Sequence, residues 1–142
     1  MKEEVIINKM FKKMTNLKNK DILVINESLL YLNSKKTTAW YQISKNLRAV
    51  KSAIQEINDS KEDILKNMSK KDKEGNVIYK GEGDSKTVVF ENEKAADEKW
   101  KSMLEDSAPK IDWYMFSAEK FGNVELDAIA IEPLIDVCLV ED

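Results

Sequence analysis

The sequence contains no histidine, one cysteine, one arginine, two prolines and four glycines. Each shortage excludes something. Without histidine the chain lacks the commonest metal ligand and the commonest general base. Cys138 is the one thiol, so no internal disulfide can form and a zinc site would rest on carboxylates alone. Serine and cysteine nucleophiles have no histidine to activate them. No apolar run approaches the roughly 20 residues of a membrane span. The apolar stretch in Met1-Lys2-Glu3-Glu4-Val5-Ile6-Ile7 is too short for a signal peptide. There is no phosphate-loop pattern and no dinucleotide fingerprint. The segment Lys70–Gly81 has the outline of a calcium loop, but lysine and glycine stand where the first and twelfth ligands belong. Carboxylates are plentiful, Asp97, Glu98, Glu105, Asp106 and Asp112 among them, yet nothing singles out a pair for acid–base work. The expectation is a protein with no enzymatic activity, no cofactor, no metal and no membrane contact, acting in the cytosol.

What is present is an apolar ladder. The 142 residues are 42% hydrophobic and 35% charged, enough for one domain with a core. Trp40, Ile43, Leu47, Val50, Ile54, Ile57, Ile64 and Met68 recur at steps of three and four, broken only by Lys61. That spacing places one side chain per turn on one helix face. A helix over residues 38–68 would be about 46 Å long, against a radius of gyration of about 14 Å for a globule of this chain length. An elongated single domain, residues 1–142, is therefore expected. The positions beside the ladder include Ser44, Asn46, Ala53, Asn58 and Ser60, not the paired charges that set coiled-coil partners. An internal three-helix bundle is the first reading and homo-oligomerisation the second.

Other elements follow from spacing and turn chemistry. Ile7, Met10, Phe11, Met14 and Leu17 form a short stripe among lysines, read as a surface helix or a strand leading into one. Ile22, Ile25, Leu29 and Leu32 define a second helix, and Thr37 or Thr38 can cap the long one. Residues 76–90 read as a β-hairpin whose tip is Gly81–Ser85. Asn92 can cap a helix to Glu105 with Ala96, Trp100, Met103 and Leu104 on its apolar face. Residues 111–116 and 126–131 read as strands, 117–121 as a helical turn, and Pro133 as the start of a last helix to Val140. The aromatics at 113, 114 and 116 read as core or partner contacts rather than base-stacking groups. Cys138, in an apolar run, reads as a small buried hydrophobe.

Charge divides along the chain. Residues 1–80 carry 17 basic and 10 acidic residues; residues 81–142 carry 6 basic and 16 acidic. A basic helical part (1–75) and an acidic part with the hairpin (76–142) are thus distinguished. Packing of the two against each other is the first reading of this asymmetry. A nucleic-acid face is the weakest, because lysines are scattered and arginine is nearly absent. In the acidic part Glu91, Glu93, Asp97 and Glu98 are the candidate partner-binding residues.

The order of several short motifs carries a resemblance. A short helix ends Leu29-Leu30-Tyr31-Leu32. Ala39-Trp40-Tyr41-Gln42-Ile43-Ser44-Lys45-Asn46-Leu47 opens a long one. Lys71-Asp72-Lys73-Glu74-Gly75-Asn76, then Met103-Leu104-Glu105, then Ala128-Ile129-Ala130-Ile131-Glu132-Pro133-Leu134 follow. In these, over residues 22–142, the chain resembles a family of small uncharacterised proteins, of a domain of unknown function, from tailed phages and prophages of Gram-positive bacteria. Each motif is a helix end or a turn; their order is the stronger part of the likeness. The resemblance implies a phage origin and a non-enzymatic role, and supplies no catalytic residues. In outline alone, the long helix with a hairpin beyond it is similar to prefoldin-like chaperone subunits.

The expected fold is α+β and mainly helical: a long central helix packed with flanking helices, plus a small antiparallel β element. The expected function is binding to another protein, in virion or tail assembly or as a minor virion component. Its place would be the host cytoplasm or the virion. The alternative is an acidic-surface inhibitor of a host defence or nucleic-acid-processing enzyme, which would occupy a cationic groove by charge complementarity.

Overall fold

Four helices and two small sheets make up the computed structural model, which describes residues 16–140. In chain order they are α1 (Asn19–Ser34), α2 (Trp40–Met68), β1 (Tyr79–Lys80), β2 (Thr87–Val88), α3 (Glu93–Glu105), β3 (Phe116–Ser117), α4 (Ala128–Ile131) and β4 (Leu139–Val140). Short 3₁₀ turns lie at Gly83–Ser85, Ala118–Phe121 and Glu132–Leu134. The mainly helical α+β reading holds. The basic stripe read from Ile7 to Met14 lies outside the described residues.

The chain forms two compact units. The first is Met1–Ile54 with Ser107–Asp142, and the second is Gln55–Asp106. The internal boundaries fall after residues 54 and 106. This regroups the charge. In the first unit, described residues 16–54 carry 7 basic and 2 acidic side chains, and residues 107–140 carry 2 basic and 6 acidic. These opposite excesses meet within one unit and leave it at +1. The second unit holds 10 basic and 14 acidic residues, a net −4.

The first unit has the larger core. In α1, Ile22, Ile25, Leu29 and Leu32 are all buried, as their spacing predicts. Each such side chain contributes about 1.5–3 kcal/mol by leaving water. The Lys18 N–H donates to Asp21 Oδ2 at 2.9 Å, satisfying a donor at the helix start. At the start of α2, Thr37 is the threonine that turns inward, its Oγ1 accepting from the Ala39 N–H at 3.1 Å. Thr38 instead donates its hydroxyl to the Lys120 carbonyl.

The buried stripe of α2 is rotated from the ladder. Ile43, Val50, Ile57 and Ile64 are its centre, and Asn46 and Ala53 are buried beside them. Leu47, Ile54 and Met68, on the other flank, are only half-buried. The small residues permit closer approach than the large ones, so the stripe turns toward them. Trp40, the first rung, is 64% exposed and does not belong to the core.

Two expected strands are corrected. Burial alternates over residues 111–114, with Ile111 and Trp113 buried and Asp112 and Tyr114 exposed, but only Phe116–Ser117 is a strand. It pairs in parallel with β4, Phe116 opposite Leu139 and Ser117 opposite Val140. The strand expected over 126–131 is the helical turn α4. Asp127 caps it by accepting from the Ile129 N–H at 3.0 Å, a local signal stronger than its β-branched content. The last helix expected over 133–140 stops after one turn at Leu134. Asp136 takes a left-handed conformation (φ 66°), and the chain reverses into β4. Cys138 is buried there, as read.

In the second unit the hairpin is present. Tyr79 pairs with Val88 and Lys80 with Thr87, antiparallel, and isolated antiparallel bridges Lys71–Val77 and Ser69–Phe90 tie the segment after α2 to the two arms. Gly81, at φ 88°, closes the turn; a β-carbon there would lie 2.9 Å from the Ser85 carbonyl oxygen. Asp72 Oδ1 accepts from the N–H groups of Glu74 and Asn76, an Asx turn in the place of the calcium-loop outline. Asn92 caps α3, its Oδ1 accepting from the Ala95 N–H at 3.0 Å.

Candidate functional site

The second unit buries little. Ile57, Ile64 and Ala96 are its buried apolar side chains, against seventeen among the described residues of the first unit. Leu65, Phe90, Trp100, Met103 and Leu104 stay half-exposed. A patch of this kind marks an interaction surface more often than an isolated exposed leucine does.

Leu65, Phe90 and Trp100 line an open groove of about 760 Å³ between the end of α2 and the face of α3. Its apolar lining is Ile64, Leu65, Phe90, Ala96 and Trp100; its charged rim is Lys61, Glu93, Lys94 and Asp97. The helix period explains the lining. Glu93, Ala96, Asp97 and Trp100 stand at steps of three, one and three on α3 and share a face. The Asn92 cap fixes where that helix begins, and so which residues face the groove.

Two of the four predicted partner-binding residues come together here. Glu93 and Asp97 line the groove. Glu98, one step further round the helix, and Glu91, before its first turn, do not, and all four are exposed. The acidic face is also interleaved with cations. Asp97 Oδ2 pairs with Lys101 Nζ at 2.9 Å, one turn on. That hydrogen bond, with the carboxylate's charge, raises the Lys101 pKa above its ordinary value. Both side chains are well exposed, so the pair adds little to stability. The rim therefore offers both signs of charge around an apolar floor, an arrangement suited to a polypeptide side-chain mixture rather than to a polyanion.

A second surface, in the first unit, escaped the sequence reading. Trp40, Tyr41 and Tyr114 are exposed large aromatics. Tyr41 meets Trp40 edge-on at 5.9 Å and Tyr114 edge-on at 6.2 Å between ring centroids. Lys45 Nζ stands 4.8 Å from the Tyr114 ring centre and 5.4 Å from that of Tyr41. Asn46 brings these distant parts of the chain together. Its side chain is fully buried, accepting from the Tyr114 N–H at 2.8 Å and donating to the Tyr114 carbonyl at 2.9 Å. One amide thereby replaces the strand neighbour that an extended segment needs. The signal in the sequence was a buried-face asparagine in an apolar stripe, which rarely stands there without partners.

Among the described residues no group of three or more carboxylates and thiols could hold a metal ion. No described helix is long and apolar enough to cross a membrane. Burial pushes the Cys138 thiol up to about 12, which removes it as a nucleophile near neutral pH. Set beside protein-family models, curated proteins and solved structures, the chain finds no match in any of the three.

Proposed function

We propose that this protein acts by binding another protein, and that the groove of the second unit is the binding site. One observation carries the reading. A unit of 52 residues with three buried apolar side chains keeps Leu65, Phe90 and Trp100 half-exposed around an open groove. Covering that floor would remove apolar surface from water at about 25 cal/mol per Å². The mixed rim would set register and partner choice rather than affinity. The resemblance to small phage proteins supports a partner among phage structural proteins, in virion or tail assembly. Affinity purification of the tagged protein from phage-infected cells tests this, with Leu65→Asp and Trp100→Ala beside the natural sequence. A head or tail protein retained by the natural chain and lost by both variants is the expected result. A monodisperse protein that retains nothing would sink the proposal.

The net −4 of the second unit favours one further reading, inhibition of a basic host enzyme. It requires binding that weakens steeply with salt. Charge reversal at Glu91, Glu93, Asp97 and Glu98 together should abolish such binding. Binding that survives that change would reject it.

A further inference from the structure

The aromatic surface of the first unit has the chemistry of a second binding face, and that chemistry specifies its partner. From Trp40 to Gln55, α2 carries Lys45, Arg48 and Lys51 and no acidic residue. Its first turn holds no carboxylate to offset the positive end of the helix dipole. Lys45, Arg48 and Tyr114 line an open cavity of about 520 Å³ with Trp113 and Asp112. Arg48 makes no hydrogen bond or ion pair with any described residue. Trp113 is nine-tenths buried, and its indole N–H, which can only donate, has no acceptor. That N–H is closed off from solvent, so the donors that face the open cavity are the exposed Lys45 and Arg48 side chains.

We infer that this surface binds an acidic segment of a protein partner. Carboxylates of the segment meet Arg48 and Lys45, and its apolar or aromatic side chains lie on Trp40. Arginine forks carboxylates with two parallel hydrogen bonds, and Trp, Tyr and Arg are the residues that dominate protein interfaces. Nucleic acid fits less well. Successive bases need open, roughly parallel ring faces. Here the rings stand at 82° and 83° to one another, and Lys45 lies over two of their faces.

The test is a titration of the full-length ¹⁵N-labelled protein with the peptide Glu-Glu-Trp-Glu-Glu, followed by backbone and indole amide shifts. Oligothymidylate and phosphatidylserine vesicles are the competing probes. The peptide should move Tyr41, Lys45, Arg48, Tyr114 and the Trp40 backbone and indole amides saturably. Its affinity should fall at least tenfold in the Lys45→Glu/Arg48→Glu variant and in the milder Lys45→Gln/Arg48→Gln variant. Those side chains are exposed, and unchanged far-UV dichroism would establish that the variants fold. No saturable shift, shifts that persist in both variants, or tighter binding of oligothymidylate or vesicles through the same residues would each overturn the inference.

Discussion

Replacing Asn46 by alanine should cost far more than its modest size suggests. The side chain is fully buried and holds both backbone groups of Tyr114, at 2.8 and 2.9 Å, with a third bond to the Gln42 carbonyl at 3.1 Å. Gln42 also has the usual helical acceptor role, so its loss matters little. The two bonds to Tyr114 have no substitute. Each contributes about 1 kcal/mol net, and leaving the partner groups unmet adds a penalty of similar size. The total is about 2–4 kcal/mol, a large share of the roughly 5–15 kcal/mol of a typical domain. With a urea slope of about 2 kcal/mol per molar, the midpoint should fall by about 1–2 M. Urea unfolding of the full chain, followed by tryptophan fluorescence and far-UV dichroism, measures this. Ser52→Ala, on the exposed side of the same helix, should stay within about 0.5 kcal/mol of the natural protein. The Tyr114 amide should also lose its protection from hydrogen exchange in Asn46→Ala. A cost below about 1 kcal/mol, or a Tyr114 amide as protected as before, would refute the view that Asn46 pins this segment.

Further outcomes follow from the same coordinates. Gly81→Ala puts a β-carbon 2.9 Å from the Ser85 carbonyl at a left-handed φ, and should destabilise the hairpin by about 1–3 kcal/mol. Gly75→Ala, at φ 85° with open space around it, should cost less; exchange rates of the 78–89 amides distinguish the two. Asn92→Ala removes the cap of α3 and should cost about 1 kcal/mol by urea unfolding. Cys138 should resist iodoacetamide at pH 8 in the folded protein and react only as fast as it unfolds. Because burial raises its pKa from 9.0 to about 12, the neutral thiol favours the fold fully below pH 9. That contribution disappears as pH climbs from 9 toward 12.

Much of the fold was legible because its signals are local. The spacing of Ile22, Ile25, Leu29 and Leu32, the Asn92 cap and the turn at Gly81 each act within a few residues. Where local and distant forces compete, the pattern misled. A step-of-three-and-four ladder cannot show which flank of a stripe faces the core, and Asn46 and Ala53 decided it by being small or satisfied. Residues 111–116 read as a strand, but only Phe116 of them is in one, and the partner of the Tyr114 backbone is a side chain 68 residues away. Asp127 and Asp136 set a helix cap and a left-handed turn, and short polar residues in apolar runs are easily passed over. At the groove, Glu93 and Asp97 were legible as exposed carboxylates, and Phe90 and Leu65 were not, because only the fold sets them opposite α3. Tyr114 reaches Lys45 and Tyr41 through the bonds that Asn46 makes to its backbone, and the asparagine in the stripe was the one sign of it in the sequence.

The most direct test of the groove as a protein-binding site is site-specific photocrosslinking in phage-infected cells. A benzophenone side chain is placed at Trp100, inside the groove, and in a second protein at Glu98, one helix face away. A discrete crosslink to one phage structural protein from position 100, absent from position 98, is the predicted result. No crosslink at position 100, or equal yields from both positions, would contradict it.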